Sequence, residues 1–313
     1  MSPNHQLLNL SSDFVRRIVK VHGPAGESWI KNLPALRVRC FERWSLTTAG
    51  PLSDFSYNYL EKAKTKDGSE VILKLGPPNP ELTTEILALK QYRGKGAVRL
   101  LQADPQLGAL LLKQVQPGVN LLSIKDDKQA ARIASQVMER LWRKIPDEGN
   151  FPTMADWCRG FRRYRKQFPA STGPLPPDLI HKAEKVSSDL LQTQSGSLLL
   201  HGDLHHRNIL LGKGNSWVAV DPKGVIGESS FEVGPFLYNP IPDLIKNPDL
   251  SRLLNRRLDI LEEILKLDRV RMAAWSFSRA VLSAVWTIED KGGNSSYWIT
   301  CAERLLDLLP EQI

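Results

Sequence analysis

Residues 200–224, LHGDLHHRNILLGKGNSWVAVDPKG, constrain the fold more than any other stretch of the chain. Two apolar runs, Ile209 to Leu211 and Trp217 to Val220, flank a polar turn from Gly212 to Ser216. Runs of that length around a Gly/Asn turn read as paired short strands. Pairing brings Asn208, just ahead of the first run, beside Asp221 at the end of the second. An amide oxygen and a carboxylate held together are hard ligands suited to Mg2+, which keeps several waters and bridges to phosphates. Asp203 precedes them, placed to accept a hydrogen bond from an attacking hydroxyl. The set matches the needs of phosphoryl transfer. His201, His205 and His206 have no Cys or His pair within reach in the sequence, so zinc is not indicated.

The chain has 313 residues, 42% hydrophobic and 24% charged, which suits a globular protein of two lobes. No apolar run approaches the ~18 residues that span a bilayer, and MSPNHQLLNLSSDFVRR lacks the pattern of a secretory signal. The expected location is the cytoplasm, without a membrane partner. Cys40, Cys158 and Cys301 are odd in number and far apart, which suggests no disulfide framework. A net charge of +8 raises the question of a polyanion, and the densest basic run is CRGFRRYRKQF at 158–168. Phe161, Tyr164 and Phe168 recur there at spacings of three and four, so they read as the buried face of a helix with solvated arginines. No nucleic-acid partner is expected.

Along the chain, Leu33 to Trp44 is the clearest amphipathic stretch before the first strands. Strands are expected at 44–48, 56–65, 71–75, 98–103 and 109–115, with a hairpin turn at Asp67-Gly68. Lys74 stands inside the apolar strand Val71 to Leu75, a place where long amines rarely sit without a counter-charge. The following helix, 81–93, offers Glu85, with Glu81 as the fallback. Gln116-Pro117-Gly118 breaks the pattern and fits a hinge. Helices are then expected at about 130–141, capped by Asp126 or Asp127, and at 152–168, 177–193, 254–265, 269–289 and 295–309. The segment 228–242 reads as loop.

The spacing of Asp203, Asn208 and Asp221 resembles the catalytic and metal loops of eukaryotic-type protein kinases. HGDLHHRN is similar to the same loop in aminoglycoside phosphotransferases. VDPKGVIGESSFEVGPFLYNP, GAVRLLQAD and GALLLKQVQPG resemble the streptomycin 6-kinase and hydroxyurea phosphotransferase group, over about Trp29 to Pro242. The resemblance implies an α+β, two-lobed protein-kinase-like fold: an N-lobe at 1–115 built on a small antiparallel sheet, and a larger, mainly helical C-lobe at 116–313. It also implies ATP and Mg2+ as cofactors and a small hydroxylated molecule as acceptor. Asp203 would be the catalytic base, Asn208 and Asp221 the metal ligands, and Lys74 the phosphate contact, held by Glu85. Lys113, Gln114 and Val115 would meet adenine through the backbone.

The loop from Gly50 to Tyr57 has one glycine and no GxGxxG, so Ser53, Ser56 and backbone amides are the expected phosphate contacts there. In the same comparison His201 is a scaffold residue, and Glu232 is either a structural acid accepting from catalytic-loop amides or a substrate contact. Lys223 either touches phosphate or is solvated. Glu228, Glu232, Asp243, Glu262 and Glu263 are the candidate acids for a polycationic sugar. A streptomycin-type aminoglycoside and a hydroxyurea-like compound are the leading acceptors. The alternatives are a metabolic kinase of a sugar or amino alcohol, and a non-catalytic nucleotide-binding module.

Overall fold

The computed structural model describes residue 8 and residues 10–52, 57–146, 149–169, 171, 173–290 and 294–310. The chain divides into two compact units, residues 1–94 with 98–115 and residues 95–97 with 116–313.

The first unit opens with α1 (Ser12–Arg43), in which Gly23 interrupts the helical backbone at φ 55. Ser11 caps its start by accepting from the Phe14 N–H. Five strands follow, β1 (Thr47–Pro51), β2 (Tyr59–Lys64), β3 (Glu70–Leu75), β4 (Leu100–Asp104) and β5 (Ala109–Lys113), in the antiparallel order β1-β2-β3-β5-β4. Between β3 and β4 lies α2 (Pro80–Tyr92), capped by Asn79 at one end and by Arg93 in the left-handed region at the other.

Phe14, Ile18, Trp29, Leu33 and Cys40 of α1 form one core with Tyr59, Leu73, Leu75 and Ala109 of the sheet. An ion pair with a buried carboxylate and a half-buried guanidinium pins the helix to that sheet. Glu61 on β2 accepts from the Arg37 guanidinium at 2.6 Å through both Nε and Nη2, and also from the Thr48 and Tyr59 hydroxyls at 2.6 and 2.8 Å. The α1 helix runs much further towards the N-terminus than the amphipathic pattern at 33–44 suggests, because Pro24 and Pro34 disguise its periodicity.

The second unit is mainly helical: α3 (Asp127–Leu141), α4 (Met154–Gln167), α5 (Pro177–Gln192), the single turn α6 (Gly234–Leu237), α7 (Leu250–Leu265), α8 (Arg269–Glu289) and α9 (Ser296–Leu306). The α8 helix is buried from Met272 through Leu282, as expected of a helix with neighbours on every side. Two small antiparallel pairs complete the unit. One joins β6 (Leu198–Leu200) to β9 (Val225–Gly227); the other is the hairpin of β7 (Ile209–Leu211) and β8 (Trp217–Ala219). Both sit where the sequence LHGDLHHRN…VDPKG loops between them.

The segment 228–242 holds more order than its prolines suggest. A 3-10 turn at Ser229–Val233 leads directly into α6. Arg257 of α7 fastens this segment, donating to the carbonyls of Phe236, Leu237 and Asn239 and to Asp127 of α3 at 2.6 Å.

Candidate active site

In the first unit, strand alternation turns Val71, Leu73 and Leu75 towards the core shared with α1 or its margin, and turns Lys74 to the opposite face. There the Lys74 ammonium lies 2.7 Å from both carboxylate oxygens of Glu85 on α2. Both side chains are buried, at 4% and 5% exposure. Such a pair costs much in desolvation and persists where the geometry is good. Glu85, and not the fallback Glu81, is the partner.

At the end of the same unit Lys113 is exposed, and Gln114 and Val115 are half-buried. The Lys113 and Gln114 N–H groups are donated to the carbonyls of Arg99 and Glu70. Base recognition through this segment would therefore fall to Val115 and to carbonyl oxygens. Ser53 and Ser56 lie outside the described residues.

In the second unit, hairpin register sets the chemistry. Ile209 pairs with Ala219, and one step further the Val220 N–H donates to the Asn208 carbonyl at 2.9 Å. Asn208 and Asp221 thus share one end of the hairpin. The Asn208 side-chain amide donates to the Asp203 carbonyl at 2.9 Å, which tethers Asp203 to the same end and leaves the Asn208 side-chain oxygen as an acceptor. Asp221 takes φ 62, the left-handed region, where aspartate is among the few tolerated side chains. Its carboxylate is one-third exposed, with the Lys223 ammonium 4.0 Å away. The Asp203 carboxylate is also about one-third exposed, and the His205 ring nitrogen Nε2 lies 3.8 Å from it.

The backbone that carries Asp203 is held on all sides. Glu232, fully buried, accepts from the His201 N–H at 2.6 Å and the Gly202 N–H at 2.9 Å. The His201 ring accepts the Asp203 N–H at Nδ1 and so donates from Nε2 to the Val220 carbonyl at 2.9 Å. The Lys223 and Gly224 N–H groups both reach the His201 carbonyl. Burial pushes the His201 ring down to about 3, so it stays neutral. Burial pushes the Glu232 carboxyl up to about 7, against the pull of Arg279 and the two amide donors. Burial also raises the Asp203 carboxyl, partly offset by His205, Lys223 and Arg279.

Two of the proposed acceptor acids have other work. Glu228 is 3% exposed and accepts from Arg271 at 2.7 Å, from the Trp275 indole and from the Ser195 N–H. Glu232 holds the catalytic loop. Asp243 pairs with Lys246, and Glu263 with Arg132. Sequence reasoning overlooked Arg279, which reaches the loop from α8, and Trp157 of α4 beside it. They lie far from the loop in sequence, and only helix packing brings them there.

An antiparallel-sheet unit with a buried Lys–Glu pair, and a mainly helical unit with a HGD loop, are the parts of a protein-kinase-like fold. Solved structures agree on the fold. An aminoglycoside phosphotransferase in ternary complex with ADP and hygromycin B superposes with a TM-score of 0.61 at 12% identity, covering 86% of this chain and 97% of that one. Among characterised proteins, the streptomycin 6-kinase of Streptomyces glaucescens is 29% identical over 286 residues, covering 91% of this chain and 92% of its own. The hydroxyurea phosphotransferase of Kitasatospora aureofaciens is 28% identical over 293 residues, covering 91% and 82%. The enzyme class is that of the kinases, phosphotransferases with an alcohol group as acceptor. The chain belongs to the aminoglycoside/hydroxyurea antibiotic resistance kinase family, whose model matches residues 43–292.

Proposed function

We propose that the protein transfers the γ-phosphoryl group of ATP to a hydroxyl of a small molecule, of the streptomycin or the hydroxyurea type. One observation carries this reading: Asn208 and Asp221 share the end of the β7–β8 hairpin, and Asp203 is tied to Asn208 by a 2.9 Å hydrogen bond. Phosphoryl transfer asks a protein for alignment and charge neutralisation more than for covalent participation. Asp203 orients the acceptor hydroxyl and takes its proton as the oxygen attacks. Lys74, fixed by Glu85, is assigned to the nucleotide phosphates. Lys113 to Val115 are assigned to the base.

Asn208 and Asp221 would hold Mg2+, which when bound supplies positive charge shared with the phosphate oxygens. The donor set fits that ion. It consists of one amide oxygen left free to accept and one part-exposed carboxylate, with no cluster of three or more His, Cys, Asp or Glu among the described residues. A hard cation that keeps its waters and leans on substrate phosphates needs few protein ligands.

Between the two acceptor types, the burial of Glu228 and Glu232 and the net charge of +8 favour the smaller, hydroxyurea-like compound over a polycation. A metabolic hydroxyl of similar size remains the second reading on the same observation. The test is mass detection of an added phosphate across a panel of streptomycin, hydroxyurea, sugars and amino alcohols with Mg-ATP. Transfer to hydroxyurea with little to streptomycin is expected. Binding of Mg-ATP with no transfer to any of them would overturn the assignment of acceptor class.

A further inference from the structure

The buried guanidinium of Arg279 stands behind the catalytic loop. Arg279 belongs to α8, 77 residues from Gly202 in sequence, and is 3% exposed. Its Nη2 donates to the Gly202 carbonyl at 2.7 Å and its Nη1 to the Phe231 carbonyl at 3.2 Å. The planar cation lies over the Phe231 ring at 4.6 Å and the Trp157 ring at 5.3 Å, and Trp157 packs edge-on against Trp286. Its Nε has no hydrogen-bond partner among the described residues. The guanidinium therefore depends on two carbonyls, two ring faces and the nearby carboxyls of Glu232 and Asp203 to offset its desolvation.

Gly202 is thereby gripped from both sides. Its N–H points to Glu232 and its carbonyl to Arg279. Gly202 sits at φ 83, and an added Cβ would lie 2.8 Å from the Trp157 ring, so the two grips and the ring leave its peptide planes one orientation. The next residue is Asp203. A hydrogen bond on each side of one residue fixes the direction in which the following side chain leaves the backbone. Both bonds are made to groups buried behind the loop.

We infer that Arg279 is a positioning residue for catalysis, which, opposite Glu232, clamps the Gly202 backbone so that the Asp203 carboxylate points at the acceptor hydroxyl. The inference rests on the reading of Asp203 as the base. Misplacement of a reacting group by about 1 Å costs on the order of 10²-fold in rate. Loss of this clamp should appear in turnover, with nucleotide binding left alone.

The experiment measures the full-length protein and its Arg279→Met, Arg279→Lys, Arg279→Gly and Asp203→Asn variants. Acceptor-independent hydrolysis of Mg-ATP and transfer to hydroxyurea and streptomycin are followed, together with Mg-ATP binding by thermal shift. Arg279→Met should lower kcat by about 10²-fold, with the KM for ATP within about twofold and the Mg-ATP shift retained. Arg279→Lys should recover part of kcat. Added guanidinium ion at millimolar levels should restore activity to Arg279→Gly. Hydrogen exchange at the amides of residues 201–203 should quicken in Arg279→Met, a readout that needs no acceptor.

Unchanged kcat in Arg279→Met, or unchanged exchange at those amides, would overturn the inference. So would a loss of kcat that comes only with lost Mg-ATP binding and is not rescued by guanidinium. Full turnover in Asp203→Asn would instead remove the base assignment on which it rests, so the two failures are distinguishable.

Discussion

Glu232 receives the backbone N–H groups of His201 and Gly202 on its two carboxylate oxygens, 2.6 and 2.9 Å away, with no solvent exposure. A side chain on the segment after β9 thereby sets the backbone of the loop after β6. Glu232→Ala leaves two buried donors unsatisfied, each worth about 1–3 kcal/mol. The urea midpoint should fall accordingly and turnover should drop. Glu232→Gln, which keeps one acceptor, should lie between the two. Equilibrium unfolding alongside steady-state kinetics checks this.

Lys74 and Glu85 form a pair in which breaking and replacing differ in sign. Lys74→Met takes the ammonium away from a carboxylate at 5% exposure, and breaking a buried pair by removing one partner costs about 3–5 kcal/mol. Lys74→Met with Glu85→Leu should regain most of that stability, because well-packed apolar groups replace buried ion pairs at little cost. Neither variant should regain nucleotide binding. Urea denaturation and Mg-ATP thermal shift on the single and double variants separate the two effects.

Gly202 tolerates no side chain. Its φ of 83 disfavours L-residues, and a Cβ would meet the Trp157 ring at 2.8 Å and the Val225 methyl at 3.1 Å. Gly202→Ala should cut turnover more than tenfold and cost about 1–3 kcal/mol. Adding Trp157→Leu should relieve the clash with the ring but not the strain at φ, so it recovers at most part of the stability and none of the activity. Thermal denaturation and initial rates on both variants give the answer.

Acid should destabilise the second unit through His206 as well as His201. The His206 ring stacks on Phe236 at 4.5 Å, and burial, helped by Arg257, pushes it down to about 2. A histidine whose folded value lies below 6.5 takes up protons first in the unfolded chain, so stability falls as the pH drops below 6.5. Each such group contributes about 1.4 kcal/mol per pH unit until its folded value is reached. Glu232 and Asp203, raised by burial, act in the opposite sense: the folded chain keeps protons that the unfolded chain has released, so their share of stability is lost as the pH rises. The histidine share is isolated by difference. Urea midpoints of His206→Phe between pH 6 and 4 should fall less steeply than those of the native chain.

The sequence discloses what short range can carry. Lys74 betrays itself as a lone amine among Val71, Ile72, Leu73 and Leu75, and Glu85 falls on the next helix. The β7–β8 hairpin is legible because a Gly/Asn turn and two apolar runs lie within a dozen residues. Strand β9 is not, since three residues carry no period and pair with β6 from 27 residues away. Arg279 gives no local sign, because nothing around it in α8 distinguishes an arginine that enters the core from one that leaves it. Glu61 hides for the same reason: alternation in β2 merely places it on the inner face, and only the fold shows Arg37 arriving from α1. Glu228 and Glu232 could not be sorted from the other candidate acids by sequence, because an acid that braces backbone looks, in one dimension, like an acid offered to a ligand.

The family match begins at residue 43, the last residue of α1, while Phe14, Ile18, Trp29, Leu33 and the Arg37 guanidinium all lie before it. A fragment cut at the family boundary would uncover Tyr59, Leu73, Leu75 and Ala109 of the sheet and remove the Arg37 partner of Glu61. The leading helix is half of the sheet's core, so the folding unit of the sheet reaches some thirty residues ahead of the family boundary.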